Sequence, residues 1–458
     1  MEDKFDAIII GSGQAGTPLA RELANAGWKT MLIESTHIGG TCINEGCTPS
    51  KTMIASGRVA HIISRANAYG VSVKVETIRM AQLVKRKDDL VNLFRDSSEK
   101  RLKSTKNLTL VFGLARFVSA YEIEITLANG RTRRIAGEYI FIDTGGRPAM
   151  AEFEGADKIK VLNSTSIMDL RVVPRHLVIV GAGYVGLEFG QLFAHLGAKV
   201  TLLEPGPAFL KHEDRDVADE VKKVLEKEGL KFKLNTKITS ASKAGTNIKL
   251  KLHSNERAAL ISCSHVLLAT GRLPNTNTLR LDLAGVALDD RGYIKVNDRL
   301  ETNVRNIYAL GDVKGGPAFT HIGYDDYRLV RDNLLHHGNR TIAGRPLPYV
   351  VFIDPELGRI GLTETEAKSK GLTYRVATLP MNHVARALEI GETEGLMKVL
   401  VDDNDLIIGA AIFGVEGGEM MSMLSIAMMG KVPVKAMKDA IFAHPTLAES
   451  FNNLFARL

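Results

Sequence analysis

The feature that most constrains the fold is a unit that occurs twice: a buried strand, a glycine-rich turn, a helix, a second strand and an acid. In the first copy a strand at residues 6–10 runs into Gly11, Gly13 and Gly16, and the second strand ends at Glu34. Such glycines permit a tight turn and let a pyrophosphate approach a helix N-terminus, while the acid reaches a ribose hydroxyl. The first copy therefore predicts a dinucleotide site.

The second copy has the same parts in the same order. A strand at residues 176–180 leads into Gly181, Gly183 and Gly186, and the following strand ends at Glu204. One glycine pattern alone is weak evidence, but two copies with complete flanking context predict two nucleotide sites.

Two of the three cysteines, Cys42 and Cys47, stand five positions apart shortly after the first unit. In a regular helix this spacing gives about 7.5 Å of axial rise, whereas bridged cysteines need Cα atoms within about 7 Å. A disulfide therefore requires a distorted turn, for which Gly46 supplies freedom, and Pro49 is expected to disrupt helical bonding. We interpret the pair as redox-active. Two incidental thiols remain an alternative, and a zinc half-site lacks a second cysteine pair.

The position of the cysteines predicts which cofactor each site holds. The first site should hold a flavin, because a flavin can accept a hydride and exchange electrons with sulfur. The second should then hold the nicotinamide, and Glu204 favours NAD(H) over NADP(H) because it would repel a 2′-phosphate. Lys211, His212 and Arg215 lie downstream and could soften that preference.

Composition excludes several function classes. Of 458 residues, 45% are apolar and 24% charged, which is ordinary for a soluble globular protein. The net charge of +7 comes with short, isolated basic clusters, so no nucleic-acid partner is predicted. The acidic start of the chain does not fit a signal peptide, and no apolar stretch is long enough to span a membrane. We expect a cytoplasmic protein, in which a disulfide is more often catalytic than structural.

Three further segments, at residues 142–148, 269–275 and 306–313, complete a resemblance to a known family. With the two glycine units and the cysteine pair, they closely resemble the class I pyridine nucleotide-disulfide oxidoreductases from end to end. The first two look like the crossovers between that family's FAD and nicotinamide domains, and the third is similar to its second FAD fingerprint.

The resemblance implies an α/β fold with two Rossmann-like dinucleotide-binding domains, for FAD and NAD(P), and a C-terminal α+β dimerisation domain. The expected domains are a first FAD-binding part at 1–146, an NAD(P)-binding domain at 147–270, a second FAD-binding or central part at 271–340, and a dimerisation domain at 341–458.

The resemblance also implies roles for side chains near the flavin. Lys51 and Glu188 match an ion pair beside the reactive ring, where the lysine stabilises negative charge on the reduced flavin; two surface charges are the alternative. Tyr184 matches the aromatic residue that covers the flavin until nicotinamide arrives, and plain packing is the alternative for it.

Near the C-terminus, His444 and Glu449 match a histidine that crosses the dimer interface to the partner's dithiol and a glutamate that orients its ring. The catalytic set implied by the resemblance is Cys42, Cys47, His444, Glu449, Lys51 and Glu188. The implied FAD contacts are Gly11, Gly13, Gly16, Glu34, Gly40, Thr41, Lys51, Thr144, Gly145, Arg272, Gly311 and Asp312. The implied NAD(P) contacts are Gly181, Gly183, Tyr184, Gly186, Glu188, Glu204 and Gly271. No metal ligand set is predicted.

The expected function is that of an FAD-dependent NAD(P)H:disulfide or dithiol:NAD⁺ oxidoreductase, similar to dihydrolipoamide dehydrogenase and acting as a homodimer on a small or protein-bound disulfide or dithiol. One alternative is a metal reductase similar to mercuric reductase, although the last residues carry no cysteine pair to pass a metal inward. Another is an electron-transfer or scaffolding flavoprotein subunit of a larger complex. The sequence names neither the physiological substrate nor the direction.

Overall fold

The structure is a computed structural model that describes residues 3–74, 76–254 and 257–458. The chain divides into two compact units. The first unit comprises Met1–Thr52, Gln82–Ala149 and Gly271–Arg345, and the second comprises Met53–Ala81, Met150–Thr270 and Pro346–Leu458.

The strands share a numbering in chain order. They are β1 (Asp3–Ile10), β2 (Thr30–Glu34), β3 (Leu108–Phe117), β4 (Glu122–Leu127), β5 (Thr132–Ile142), β6 (Gly146–Pro148), β7 (Val161–Leu162), β8 (His176–Val180), β9 (Lys199–Leu203), β10 (Lys231–Lys233), β11 (Thr236–Ala244), β12 (Asn247–Ser254), β13 (Arg257–Cys263), β14 (His265–Leu268), β15 (Arg272–Pro274), β16 (Ile307–Ala309), β17 (Tyr349–Val351), β18 (Glu356–Gly361), β19 (Tyr374–Pro380), β20 (Leu396–Asp402) and β21 (Ile407–Gly414).

The α-helices are numbered in the same way. They are α1 (Gly16–Asn25), α2 (Gly40–Asn44), α3 (Cys47–Arg65), α4 (Met80–Lys103), α5 (Tyr184–His195), α6 (Arg215–Lys227), α7 (Leu281–Ala284), α8 (Thr320–Leu335), α9 (Glu364–Ser369), α10 (Ala385–Glu389), α11 (Gly417–Met429), α12 (Val434–Lys438) and α13 (Ser450–Phe455).

The first unit is built on a sheet in which β3, β2, β1, β5 and β16 run parallel, while β4 pairs antiparallel with β3 and β5. Strand β1 is buried on both faces: Ile8 and Ile10 belong to one hydrophobic cluster, and Ala7 and Ile9 belong to another. Such a continuous apolar run is typical of a parallel strand covered on both sides. The glycine turn follows directly at the carboxyl end of β1.

The second unit contains a parallel sheet with the order β10-β9-β8-β14-β7 and a small antiparallel sheet of β11, β12 and β13. Its C-terminal part is an antiparallel sheet with the order β17-β18-β21-β20-β19. Helices α11 and α13 contribute Leu424 and Phe451 to the core over that sheet.

The expected fold class is confirmed, including both strand–turn–helix–strand units. Helix α1 and strand β2 follow the first glycine turn, and α5 and β9 follow the second. The division into domains at 146, 270 and 340 stays a prediction. Within the described residues, no helix is both long and apolar enough to cross a membrane.

Candidate active site

The first glycine turn is closed from two sides by carboxylates. Glu34, at the end of β2, accepts hydrogen bonds from the Ser12 backbone N–H at 3.0 Å and from the Ser12 hydroxyl at 2.6 Å. Gly11 has a φ of +101°, and a Cβ on Gly16 would lie 2.2 Å from the Gly11 carbonyl oxygen. Only glycine fits such a turn, so the cradle at the N-terminus of α1 is built for close approach of a pyrophosphate.

Asp143 is the second carboxylate, and it was not singled out from the sequence. It follows β5, is 6% exposed, and accepts a 2.6 Å hydrogen bond from the Gly16 backbone N–H. Burial raises the pKa of Asp143 well above its ordinary value. A Cβ on Gly13 would lie 2.7 Å from an Asp143 oxygen. Asp143 therefore positions the glycine turn, and its place in the 142–148 segment was the available signal.

The second glycine turn repeats this arrangement. Glu204, just after β9, accepts hydrogen bonds from the backbone N–H of Ala182 at 3.1 Å and of Gly206 at 2.9 Å. A Cβ on Gly186 would lie 2.1 Å from the Gly181 carbonyl oxygen. Both predicted ribose acids thus also hold their own glycine turns.

The two crossover segments pair with each other in the first unit. Strand β6 is antiparallel to β15, and the Thr144 hydroxyl donates to the Asn275 carbonyl at 2.9 Å. The Arg272 guanidinium, part of β15, lies 3.4 Å from the Thr41 hydroxyl and 3.6 Å from an Asp312 oxygen. Four of the residues predicted for FAD are therefore brought together by this pairing.

A buried charge cluster supports the segment that contains Gly311 and Asp312. The Gly311 backbone N–H donates to Asp326 at 2.9 Å, and Asp326 is fully buried between Lys314 at 3.3 Å and Arg345 at 2.7 Å. Burial raises the pKa of Asp312, while Arg272 and Lys314 oppose that rise.

The two redox-candidate cysteines lie on two helices separated by a break. Cys42 is in α2. Glu45, the residue that follows this helix, has a φ of −141° and lies outside helical geometry. Cys47 then begins α3. A Cβ on Gly46 would lie 2.9 Å from the Thr41 carbonyl oxygen, so glycine is needed at this approach. The distorted turn that a Cys42–Cys47 disulfide would require is therefore present. The expectation for Pro49 is wrong: it is the third residue of α3, where a helix lacks N–H partners and proline is tolerated.

The electrostatics of the pair are asymmetric. Cys42 is half-buried and Cys47 exposed, both in the thiol form, and the Cys47 Sγ lies 3.4 Å from the Thr320 hydroxyl. The hydrogen bond with Cys47, then burial and the charge on Cys47, raise the pKa of Cys42 well above its ordinary value, while Thr320 and Lys51 oppose the rise. At neutral pH the raised pKa keeps Cys42 in its protonated thiol form.

Tyr184 begins α5 in the second unit, half-buried. Its ring stacks on Tyr349 with centroids 5.3 Å apart, and the Tyr349 hydroxyl donates to Glu213. Burial raises the pKa of both tyrosines, and burial also raises that of Glu213. Tyr184 thus has a fixed aromatic support within its own unit.

The remaining catalytic candidates are distributed between the two units. Lys51 lies on α3 in the first unit, close enough for its charge to oppose the rise in the pKa of Cys42. Glu188 lies on α5 in the second unit, 6% exposed, and accepts from the Phe352 backbone N–H at 3.0 Å. His444 is 72% exposed, and its Nδ1 lies 2.9 Å from the Glu449 carboxylate.

Taken by unit, the predicted FAD residues all fall in the first unit. The predicted NAD(P) residues fall in the second unit except for Gly271, which opens the last segment of the first. The structure brings together Cys42 with Cys47, and His444 with Glu449.

A glycine cradle in each unit, together with the Cys42 and Cys47 thiols in the first, is typical of flavin- and nicotinamide-linked disulfide oxidoreductases. The chain belongs to the pyridine nucleotide-disulphide oxidoreductase family, whose model matches residues 5–326, and the family's dimerisation domain matches residues 347–455. Membership makes the protein a flavoprotein enzyme that carries FAD, and the cradle at the N-terminus of α1 fits that cofactor.

The comparisons identify specific relatives. The chain is 37% identical to the probable pyridine nucleotide-disulfide oxidoreductase RclA of Escherichia coli (strain K12), covering 99% of both. It is 32% identical to mercuric reductase of Lysinibacillus sphaericus, covering 98% of this chain and 81% of that protein. A solved Cu(II) complex of the HOCl-induced flavoprotein disulfide reductase RclA from Escherichia coli superposes with a TM-score of 0.91, 36% identity and 99% coverage of both chains.

Proposed function

We propose that this enzyme is an NADH-dependent disulfide reductase in which Cys42 and Cys47 form the redox-active pair. The observation that carries the proposal is the juxtaposition of the two thiols across the α2–α3 break, in the unit that holds the FAD cradle. Bound FAD would supply hydride exchange with the nicotinamide and an electron pair that reduces the Cys42–Cys47 disulfide to the dithiol. The substrate is a small or protein-bound disulfide, and the reverse direction would oxidise a dithiol, as dihydrolipoamide dehydrogenase does.

The two sulfurs take different roles in this proposal. Cys47 is the inner sulfur, and it is the thiolate once the pair is reduced. Lys51 stabilises the negative charge on the reduced flavin. Cys42 is the outer sulfur and attacks the substrate disulfide, forming a mixed disulfide and releasing one substrate thiol. Cys47 then attacks Cys42, restores the Cys42–Cys47 disulfide and releases the second thiol. The raised pKa of Cys42 supports a need for general-base help.

That base is His444, which in a homodimer would be His444 of the partner subunit. It takes the proton from Cys42 and returns it to the departing substrate sulfur. Glu449 accepts from Nδ1 and so orients the ring, leaving Nε2 to exchange the proton. The high exposure of His444 on a single chain supports a role that is completed by assembly.

The preference for NADH is supported by charge at the second glycine turn. Glu204 places a carboxylate where a 2′-phosphate would lie. The Arg215 guanidinium, the cation best suited to bind that phosphate, instead donates to the carbonyls of Phe209, Leu210 and Glu213 at 2.8–3.1 Å. Arg215 is thus held by the backbone and is not expected to soften the preference.

A steady-state assay tests the proposal. The purified FAD enzyme should oxidise NADH with lipoamide, glutathione disulfide or another low-molecular-weight disulfide, and Cys42→Ser should abolish this turnover. NADH oxidation at equal rates in the wild type and in Cys42→Ser, for every disulfide tried, would refute the proposal.

Reduction of a thiophilic metal ion is a second candidate. It is favoured by the exposed Cys47 thiol and by relatives that include a mercuric reductase and an RclA solved as a Cu(II) complex. Including Hg²⁺ and Cu²⁺ as acceptors in the same assay distinguishes the two candidates, because a metal reductase would prefer the ion to every disulfide.

A further inference from the structure

A group of potential metal ligands lies in the second unit, apart from the residues assigned to the redox reaction. It consists of His61 on α3, His195 on α5 and Glu228 directly after α6, and its ligand atoms all lie within 4.8 Å of one another. We propose that these three side chains bind a divalent metal ion of borderline softness, such as Zn²⁺. The sequence predicts no such site because the ligands come from three distant segments.

The packing of α3 against α5 explains why the two histidines meet. A Cβ on Gly57 would lie 2.8 Å from a Leu192 methyl carbon, so glycine lets the two helices approach closely. His61 follows Gly57 by four residues and His195 follows Leu192 by three, which places both one helical turn beyond the contact. Their rings stack with centroids 4.2 Å apart.

The distances from the two histidines to Glu228 bracket the ligand separation that a metal requires. The His195 Nε2 lies 2.9 Å and the His61 Nε2 3.9 Å from the two Glu228 oxygens. Ligand atoms around tetrahedral zinc are separated by roughly 3.3 Å, as bond lengths near 2.0–2.1 Å dictate. Because a metal lies in the plane of each imidazole that binds it, the stacked rings must rotate out of parallel when they share one ion.

Electrostatics at this place favour a cation. His195 is the last residue of α5 and Glu228 follows the last residue of α6, so two helix C-termini direct partial negative charge toward the ligands. A cavity of about 20 Å³ adjoins them, room for roughly one water as a further ligand. Its lining also includes Asp354, Glu392 and Glu394.

Three cations also face the cluster. Arg65 lies 3.4 Å from the His61 Nε2, and the ion must replace it there, but both terminal nitrogens of Arg65 already bind Glu392 at 3.2 Å. Arg58 lies 3.8 Å from Asp354, and Lys227 pairs with Glu394. These pairs involve three of the four nearby acids, and the fourth, Glu228, faces the two histidines.

The ligand Glu228 is held by a supporting residue. Gln191, 3% exposed on α5, donates to Glu228 at 2.8 Å and to the Asp354 carbonyl at 2.6 Å, and accepts from the Asp354 N–H at 2.7 Å. Loss of such a partner lowers metal affinity by about 10- to 100-fold. Gln191 is a positioning residue in this proposal, and it gives the test a graded readout.

The test measures Zn²⁺ binding to the FAD-loaded Cys42→Ser/Cys47→Ser enzyme, which removes the dithiol as a competing site. Equilibrium dialysis against Zn²⁺ with a competing chelator should give one ion per chain. Co²⁺ should give visible d–d bands that report nitrogen and oxygen ligands.

Matched variants in the same background decide the outcome. His61→Ala, His195→Ala and the isosteric Glu228→Gln should each remove the bound ion, whereas Gln191→Leu should weaken it by about 10- to 100-fold. His253→Ala, at an exposed histidine of β12, should leave it unchanged. Bound FAD reports on the first unit, and an unchanged far-UV circular dichroism spectrum and thermal unfolding profile in each variant show that the second unit is folded. The proposal is overturned if no stoichiometric ion binds, or if binding survives in FAD-loaded His61→Ala and His195→Ala.

Discussion

Lys398 on β20 offers the sharpest test of the energetics of the second unit. Its Nζ is buried, with 1% of the side chain exposed, and binds Asp216 at 2.7 Å and Glu364 at 2.5 Å, with Asp214 at 3.4 Å. Lys398→Met keeps the apolar stem and removes the charge, leaving three carboxylates together. Removing one partner of a buried pair costs about 3–5 kcal/mol. Because Asp216 is 48% exposed and can be hydrated, we expect the lower end, about 3 kcal/mol.

The penalty should depend on pH in a defined direction. Burial lowers the pKa of Lys398, but Asp216 and Glu364 outweigh burial and raise it, while the hydrogen bond from Lys398 lowers the pKa of Glu364. A lysine whose pKa is higher in the folded than in the unfolded protein stabilises the fold fully below its unfolded-state pKa. A glutamate with a lowered pKa stabilises it above its unfolded pKa, and this contribution is lost as pH falls. The cost of Lys398→Met should therefore be largest near neutral pH and shrink below about pH 4.3.

Lys368 provides a matched control, because it also contacts Glu364. Lys368 lies 3.6 Å from Glu364 on helix α9, but 70% of its side chain is exposed. Lys368→Met should cost less than about 1 kcal/mol, as exposed pairs do. Urea unfolding of the FAD-loaded proteins, followed by circular dichroism at neutral and acidic pH, measures both. Equal penalties for the two variants, or a Lys398 penalty that does not change with pH, would refute the reasoning.

Three further predictions concern the redox site. Tyr349→Ala should change the rate of FAD reduction by NADH by roughly 2- to 12-fold, as expected for an aromatic pair worth about 0.5–1.5 kcal/mol. Tyr349→Phe keeps the stack on Tyr184 and should change the rate far less. Stopped-flow reduction measures both rates, and equal effects of the two variants would contradict a supporting role for the Tyr349 ring. Glu204→Gln should raise kcat/KM for NADPH by about tenfold or more, because a charge repulsion of about 1–4 kcal/mol is removed; an unchanged ratio of NADPH to NADH would mean that Glu204 does not face the 2′ position. Cys47→Ser should remove the long-wavelength thiolate-to-flavin absorbance, and Cys42→Ser should leave it present in the oxidised enzyme; swapped spectra would reverse the assignment of inner and outer sulfur.

The local units of this fold could be predicted closely from the sequence, because the glycines and the acid of each unit lie within one short stretch of chain, with Glu34 and Glu204 each 22 residues from the backbone N–H they accept from. The structure adds that Glu34 and Glu204 also hold the backbone of their own turns. The spacing of Cys42 and Cys47 showed that a disulfide between them would need a distorted turn, and such a turn lies between α2 and α3. Pro49 was misjudged because its cost depends on its place in the helix, and that place is set by where α3 begins.

What sequence reasoning missed depends on long-range packing. Asp143 reaches the Gly16 N–H only because β1 and β5 are neighbours in the sheet, although 127 residues separate the pair. The cluster of His61 and His195 requires α3 and α5 to pack at Gly57, and nothing near either histidine reports that contact. A single sequence records which groups are available, whereas tertiary structure decides which of them meet.

The central claim is that Cys42 and His444 complete one active site from two subunits. The direct measurement is disulfide turnover in verified heterodimers of Cys42→Ser and His444→Ala subunits, made from two separately tagged chains. Each homodimer should lose turnover, about 100- to 10,000-fold for His444→Ala if it acts as a general acid–base. The account predicts that the heterodimer, with one intact site, regains up to about half of wild-type activity. Heterodimers as inactive as the parents would contradict it, because His444 would then act within its own subunit or not at all.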